Sequence, residues 1–172
     1  EAEQCARNGG RNMYDGVPPL TAQLIADGCL RTLLADGADA LAAAGSGQPT
    51  PAFERVVEAM ILMSGLGFES GGLSIAHALT RGLPKIAGLA SAPHGLQVAV
   101  GLLVQLDLEA RQDGMLATLT QWYEQVGLPT TLQALGATAP SDAELARAAE
   151  LTLAARHAAN FDRPLDIKTL VA

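Results

Sequence analysis

The sequence predicts an all-α domain, a bundle of about eight helices joined by short turns. Three observations lead there. Ala and Leu dominate while β-branched residues are few, a balance that favours helix over sheet. Apolar residues recur at three- and four-residue spacings, and no stretch alternates with period two. Helix start signals stand at Thr50-Pro51 and at Ser141-Asp142-Ala143-Glu144, the latter a capping box.

The elements follow in order. Residues 1–8 read as a helix tail ending at Gly9-Gly10. A turn-rich loop passes Asp15-Gly16 and Pro18-Pro19. Leu20, Leu24, Ile25, Leu30, Leu33 and Leu34 form the apolar stripe of a helix expected to end at Asp36-Gly37. A short Ala-rich piece, 38–44, stops at Gly45. From Thr50 a helix is expected to reach Ser64 and stop at Gly65. Another starts near Ser70, carries Leu73, Ala76, His77 and Thr80 on one face, and ends at Gly82. Pro93-His94-Gly95 opens a helix whose run from Leu96 to Leu108 is apolar nearly all round, the mark of a central helix. Asp113-Gly114 precedes a helix with Trp122 and Tyr123. Gly127 and Pro129 introduce a short helix at 130–135. The capping box opens a helix to about Ala159, and Asp166 caps a final turn.

The chain has 172 residues, 49% of them hydrophobic, which suits one domain with a real core. Its net charge of −7 argues against a nucleic-acid partner and against an anionic membrane surface. Cys5 and Cys29 have no paired spacing and read as small buried hydrophobes. No signal peptide or apolar span stands out, so a cytoplasmic location is expected. The opening resembles the middle of a helix, which suggests an excised part of something longer. No glycine-rich strand–turn–helix device for a dinucleotide and no phosphate loop occurs in these residues.

The chemistry concentrates in Gly65-Leu66-Gly67-Phe68-Glu69-Ser70-Gly71-Gly72-Leu73-Ser74-Ile75-Ala76-His77 and in Ala92-Pro93-His94-Gly95. Imidazole is the commonest protein metal ligand. His77 lies mid-helix on an apolar face, where a core histidine with one backbone partner and a metal ligand both fit. His94 sits at a helix start, where the dipole favours the neutral, metal-binding imidazole. His157 reads as a surface residue. Gly71 and Gly72 at a helix start suggest close approach by another helix, a cofactor or a substrate. Phe68 is core by default, although its glycine-bounded setting could place it beside a pocket. Glu58 and Glu69 read as solvated charges.

These residues resemble the glycerol dehydrogenase branch of the iron-containing alcohol dehydrogenase family. The likeness rests on the Gly-Phe-Glu-Ser-Gly-Gly run, on His77, on Pro93-His94-Gly95 and on Thr50-Pro51 to Glu58, and is strong over residues 1–110. The resemblance implies an all-helical metal domain whose partner, an N-terminal nucleotide-binding domain, is absent from this chain. It implies metal ligation by His77 and His94, with a third ligand, an Asp, upstream of Glu1. It implies Zn, or alternatively Fe, as a Lewis acid on the hydroxyl of a small polyol or alcohol, with NAD as hydride acceptor. Phe68 would line the substrate pocket, and a homo-oligomer is expected. The family often carries a further His just after the position of His77, where this chain has Thr80 and Arg81. The alternatives are another metal-dependent alcohol dehydrogenase of the family, or a non-catalytic helical module.

Overall fold

The computed structural model describes residues 1–171; 66% of the chain is helical, and no strand occurs among the described residues. The helices gather into two compact units, one from Glu1 to Gly72 and one from Leu73 onward. Counting Pro51–Gly71 as one rod gives nine helices among the described residues, close to the number expected. No single helix among them is long and apolar enough to cross a membrane.

In the first unit α1 spans Ala2–Arg7. It ends where expected, because Gly9 turns left-handed (φ 60°) and the Gly10 N–H bonds back to the Cys5 carbonyl at 2.7 Å. Asn12 then organises the loop. Its Oδ1 accepts from the N–H groups of Tyr14 and Gly16, and its Nδ2 donates to the Ser70 carbonyl at 3.0 Å.

The helix expected to stop at Gly37 does not stop. α2 runs unbroken over Leu20–Ala43. A helical Gly costs about 1 kcal/mol relative to Ala, and tertiary packing offsets it: Gly37 is buried. Beside it, Asp36 accepts two hydrogen bonds from the Arg55 guanidinium, at 2.7 and 2.8 Å.

Thr50 caps α3 (Pro51–Glu58) as expected, accepting from the Phe53 N–H. The rod then continues through a π-helical turn, Ala59–Met63, into α4, Ser64–Gly71. The break expected at Gly65 falls instead at Gly72, whose φ of +85° a side chain would resist. Gly67 serves packing, since a Cβ there would stand 3.3 Å from the Ala26 backbone. Gly71 and Gly72 therefore end a helix rather than start one. What approaches them is α1: a Cβ on Gly71 would lie 2.8 Å from that of Ala2, and one on Gly72 would meet the Cys5 sulfur. The unit's core is built from small residues, among them Cys5, Ala22, Cys29, Ala40 and Ala59. Both cysteines are free and buried, and burial pushes both thiols up in pKa.

The second unit begins with α5 (Ile75–Leu79) and a 3-10 turn at Leu83–Lys85. α6 (His94–Glu109) follows, then α7 (Met115–Val126), α8 (Leu132–Leu135), α9 (Asp142–Leu153) and α10 (Ile167–Val171). Its core holds larger side chains: Ile75, Leu79, Leu83, Ile86, Leu89, Val100 and Phe161. The capping box at Ser141 and Glu144 is formed. The Glu144 carboxylate also accepts from the Ala87 N–H at 2.9 Å, and these bonds hold its pKa below the ordinary value. α9 stops at Leu153, short of the expected Ala159, and a 3-10 turn, Arg156–Asn160, replaces its last turn. That change of path lets the Asn160 amide donate to the Leu73 carbonyl at 2.8 Å and Phe161 enter the core.

Candidate metal centre

His77 stands on α5, a helix of five residues set between the Gly72 turn and Thr80. Ile75, Ala76, Ala78 and Leu79 are all buried, and His77 is half-exposed. α5 thus packs on every side but one and presents its imidazole there. The Thr80 hydroxyl donates to the His77 carbonyl at 2.7 Å and closes the helix.

His94 opens α6 directly after Pro93, whose extended conformation (φ −55°, ψ 136°) ends the preceding loop. The loop is held by the Gln97 amide, which donates to the Ala92 carbonyl at 2.8 Å. His94 is exposed, and beside it Gly95 faces open space.

The fold brings the two imidazoles together. Their centroids lie 5.6 Å apart and their planes are tilted by 56°. Two imidazoles sharing a tetrahedral ion at Zn–N near 2.0–2.1 Å would have centroids roughly 5 Å apart. The observed spacing is close to that value. Among the described residues no group of three His, Cys, Asp or Glu gathers.

The other candidates separate. His157 lies in the 3-10 turn Arg156–Asn160 and lines a cleft with Arg81, Lys85 and Arg156. Phe68 is not core: on α4 in the first unit it is 39% exposed. Glu69 accepts from the Tyr14 hydroxyl at 2.9 Å, which also raises the tyrosine pKa. Sequence reasoning missed Gln97, Gln105 and Glu109, all buried on α6. The signal was available, because a polar residue inside an apolar run must find a partner when buried.

No protein-family model matches the chain. The glycerol dehydrogenase of Thermotoga maritima is 41% identical over 150 residues, which is 87% of this chain and 41% of that protein. The glycolaldehyde reductase of Halobacterium salinarum is 39% identical over the same shares. The crystal structure of glycerol dehydrogenase from Schizosaccharomyces pombe superposes with a TM-score of 0.93 at 35% identity, covering 99% of this chain and 44% of that one. The class is thus an all-helical portion of the kind found in glycerol dehydrogenases. The chain belongs to the glycerol dehydrogenase branch of the iron-containing alcohol dehydrogenase family. It spans about two fifths of the length of the curated relatives it matches.

Proposed function

We propose that this chain is the metal-binding part of an NAD-dependent, glycerol dehydrogenase-like oxidoreductase, with His77 and His94 as ligands to one divalent cation. The observation that carries the reading is the pairing of the two imidazoles at 5.6 Å. A half-exposed His77 and an exposed His94 leave a face on which a small alcohol has access. Zinc held there, or iron, would supply Lewis-acid polarisation of the substrate hydroxyl. The chain's own contribution is to fix both ring positions through α5 and the start of α6. The carboxylate ligand and the nucleotide-binding domain are expected from parts of the parent protein outside these residues. Phe68 is proposed to line the substrate pocket, where an exposed aromatic ring suits a carbon chain. In this reading the 172 residues alone hold zinc weakly and turn over no NAD.

The experiment is metal analysis and glycerol-dependent NAD reduction of the full-length parent, beside its His77→Ala and His94→Ala variants. Stoichiometric zinc in the parent, lost from both variants together with activity, is expected. Metal content and turnover that survive both substitutions would overturn the assignment. A second reading, a family member acting on a different small hydroxy or carbonyl compound, is supported by the glycolaldehyde reductase relative at 39% identity. Faster turnover of glycolaldehyde than of glycerol by the same parent would favour it.

A further inference from the structure

A helix of five residues is marginal by itself, yet α5 has to hold an imidazole in place. Its N-terminus has no cap of its own, because Ser74 makes no side-chain capping bond. The free N–H of Ala76, second residue of the helix, is satisfied from another element. It donates to Gln105 Oε1 on α6 at 3.2 Å. Gln105 is 1% exposed, and its amide has no freedom to turn over. Its Nε2 donates to the Glu109 carboxylate at 2.8 Å, and Glu109 is anchored in turn by Arg111 at 3.3 Å. A carboxylate can only accept, so Nε2 must face Glu109 and Oε1 must face Ala76.

The other side of the same residue is also gripped. One helical turn before Gln105 stands Gly101, and a Cβ there would lie 2.7 Å from the Ala76 carbonyl oxygen and 3.2 Å from its Cα. The missing side chain lets the two helix backbones touch. Ala76 is therefore held at its N–H by Gln105 and at its carbonyl by Gly101. The residue that follows it is His77, and the helix that holds it begins with His94.

We infer that Gln105 and Gly101 are positioning residues: α6 carries one imidazole at its first residue and clamps the peptide that carries the other, so one rigid helix sets the separation of the pair. This rests on the reading of His77 and His94 as a shared metal site. Substitutions at residues that orient metal ligands typically lower metal affinity by about 10–100-fold. Neither residue touches the ion, and both act through the path of α5.

The test uses the 172-residue chain with nitrogen-15 in its histidine rings, titrated with zinc chloride and followed by NMR, which reads weak binding ring by ring. In the wild type the His77 and His94 rings are expected to shift together with one Kd. Gln105→Met is expected to raise that Kd about tenfold while far-UV circular dichroism stays helical. The double exchange Gln105→Glu with Glu109→Gln restores an acceptor for Ala76 and an amide-to-carboxylate bond, and is expected to return most of the affinity. Leu89→Ala, a core change at a fully buried residue, is expected to lower stability and leave the Kd unchanged. A folded Gln105→Met with unaltered Kd, or a Leu89→Ala that weakens zinc as much, overturns the clamp and leaves the shared site standing. Rings that respond to zinc independently in the wild type overturn both. Should Gln105→Met fail to fold, hydrogen exchange of the wild-type Ala76 amide decides. Exchange only through global opening supports the clamp, and exchange at the rate of an exposed amide refutes it.

Discussion

The two units are made of the same kind of sequence and pack it in opposite ways. The second, from Leu73, buries its large apolar residues: Ile75 and Leu89 are fully enclosed and Phe161 nearly so. The first builds its interior from Ala, Gly and Cys. It leaves Met60, Ile61, Leu62, Leu66 and Phe68 exposed along one rod. The difference separates apolar periodicity from burial. A period of 3.6 residues tells which residues share a face, but not whether that face is covered. Where helices meet through glycine and alanine, backbones come close and the long side chains are displaced to other faces.

The sharpest way to break this contrast is to truncate one phenylalanine in each unit. Phe161→Ala is expected to cost about 4 kcal/mol, as emptying an aromatic site in a core does. Phe68→Ala, on the exposed rod, is expected to cost under about 1 kcal/mol. Urea unfolding of both variants measures the pair. Equal losses would show that the rod is as well packed as the second core.

Two glycines of the first unit sharpen the role of small residues. Gly72→Ala combines a positive φ with a collision at the Cys5 sulfur and is expected to cost about 2–3 kcal/mol. Gly65→Ala meets nothing within 4 Å on a regular helix and is expected to gain about 0.5–1 kcal/mol. Thermal unfolding that moved both in the same direction would contradict the packing described for them.

Caps come next. Thr50→Ala in the first unit and Ser141→Ala in the second should each cost about 1 kcal/mol. Ser141 is expected to cost more of the two, because its loss also releases Glu144 from the capping box. Denaturation midpoints of the two variants decide the order.

The smallest effect is a dependence on acid. The Arg55 guanidinium holds Asp36 below its ordinary value of 3.8. Bonds from Ser141 and Ala87 hold Glu144 below 4.5. Both carboxylates are thus still ionised in the folded chain at a pH where the unfolded chain takes up protons. Their contribution is complete above those ordinary values and is lost as pH falls through the lower folded ones. Urea midpoints should decline from about pH 5 downward, and less steeply in Glu144→Gln. A Glu144→Gln profile parallel to the wild type would show that this carboxylate contributes nothing.

Most of the helix boundaries were legible because local chemistry sets them. Thr50 and Ser141 cap with their own hydroxyls, and Gly9 and Gly127 end helices by turning left-handed. Glycine was the element read wrongly. Gly37 and Gly65 look like stops, yet they lie within helices, and the chain breaks at Gly72. A glycine permits both a break and a close approach, and only the neighbouring helix selects between them.

By itself the sequence determined the helical class, the caps and the family likeness, and it singled out two histidines as candidates, since each depends on residues close together along the chain. The tertiary structure alone decided that the two imidazoles lie close together, that Phe68 lies at the surface, and that Gln105 supplies the cap Ser74 does not. Those facts depend on side chains far apart in sequence meeting in space. Nothing in the spacing of Ala76 and Gln105 announces a hydrogen bond. It exists because Gly101 lets two backbones touch and because Glu109 leaves the buried amide only one way to face.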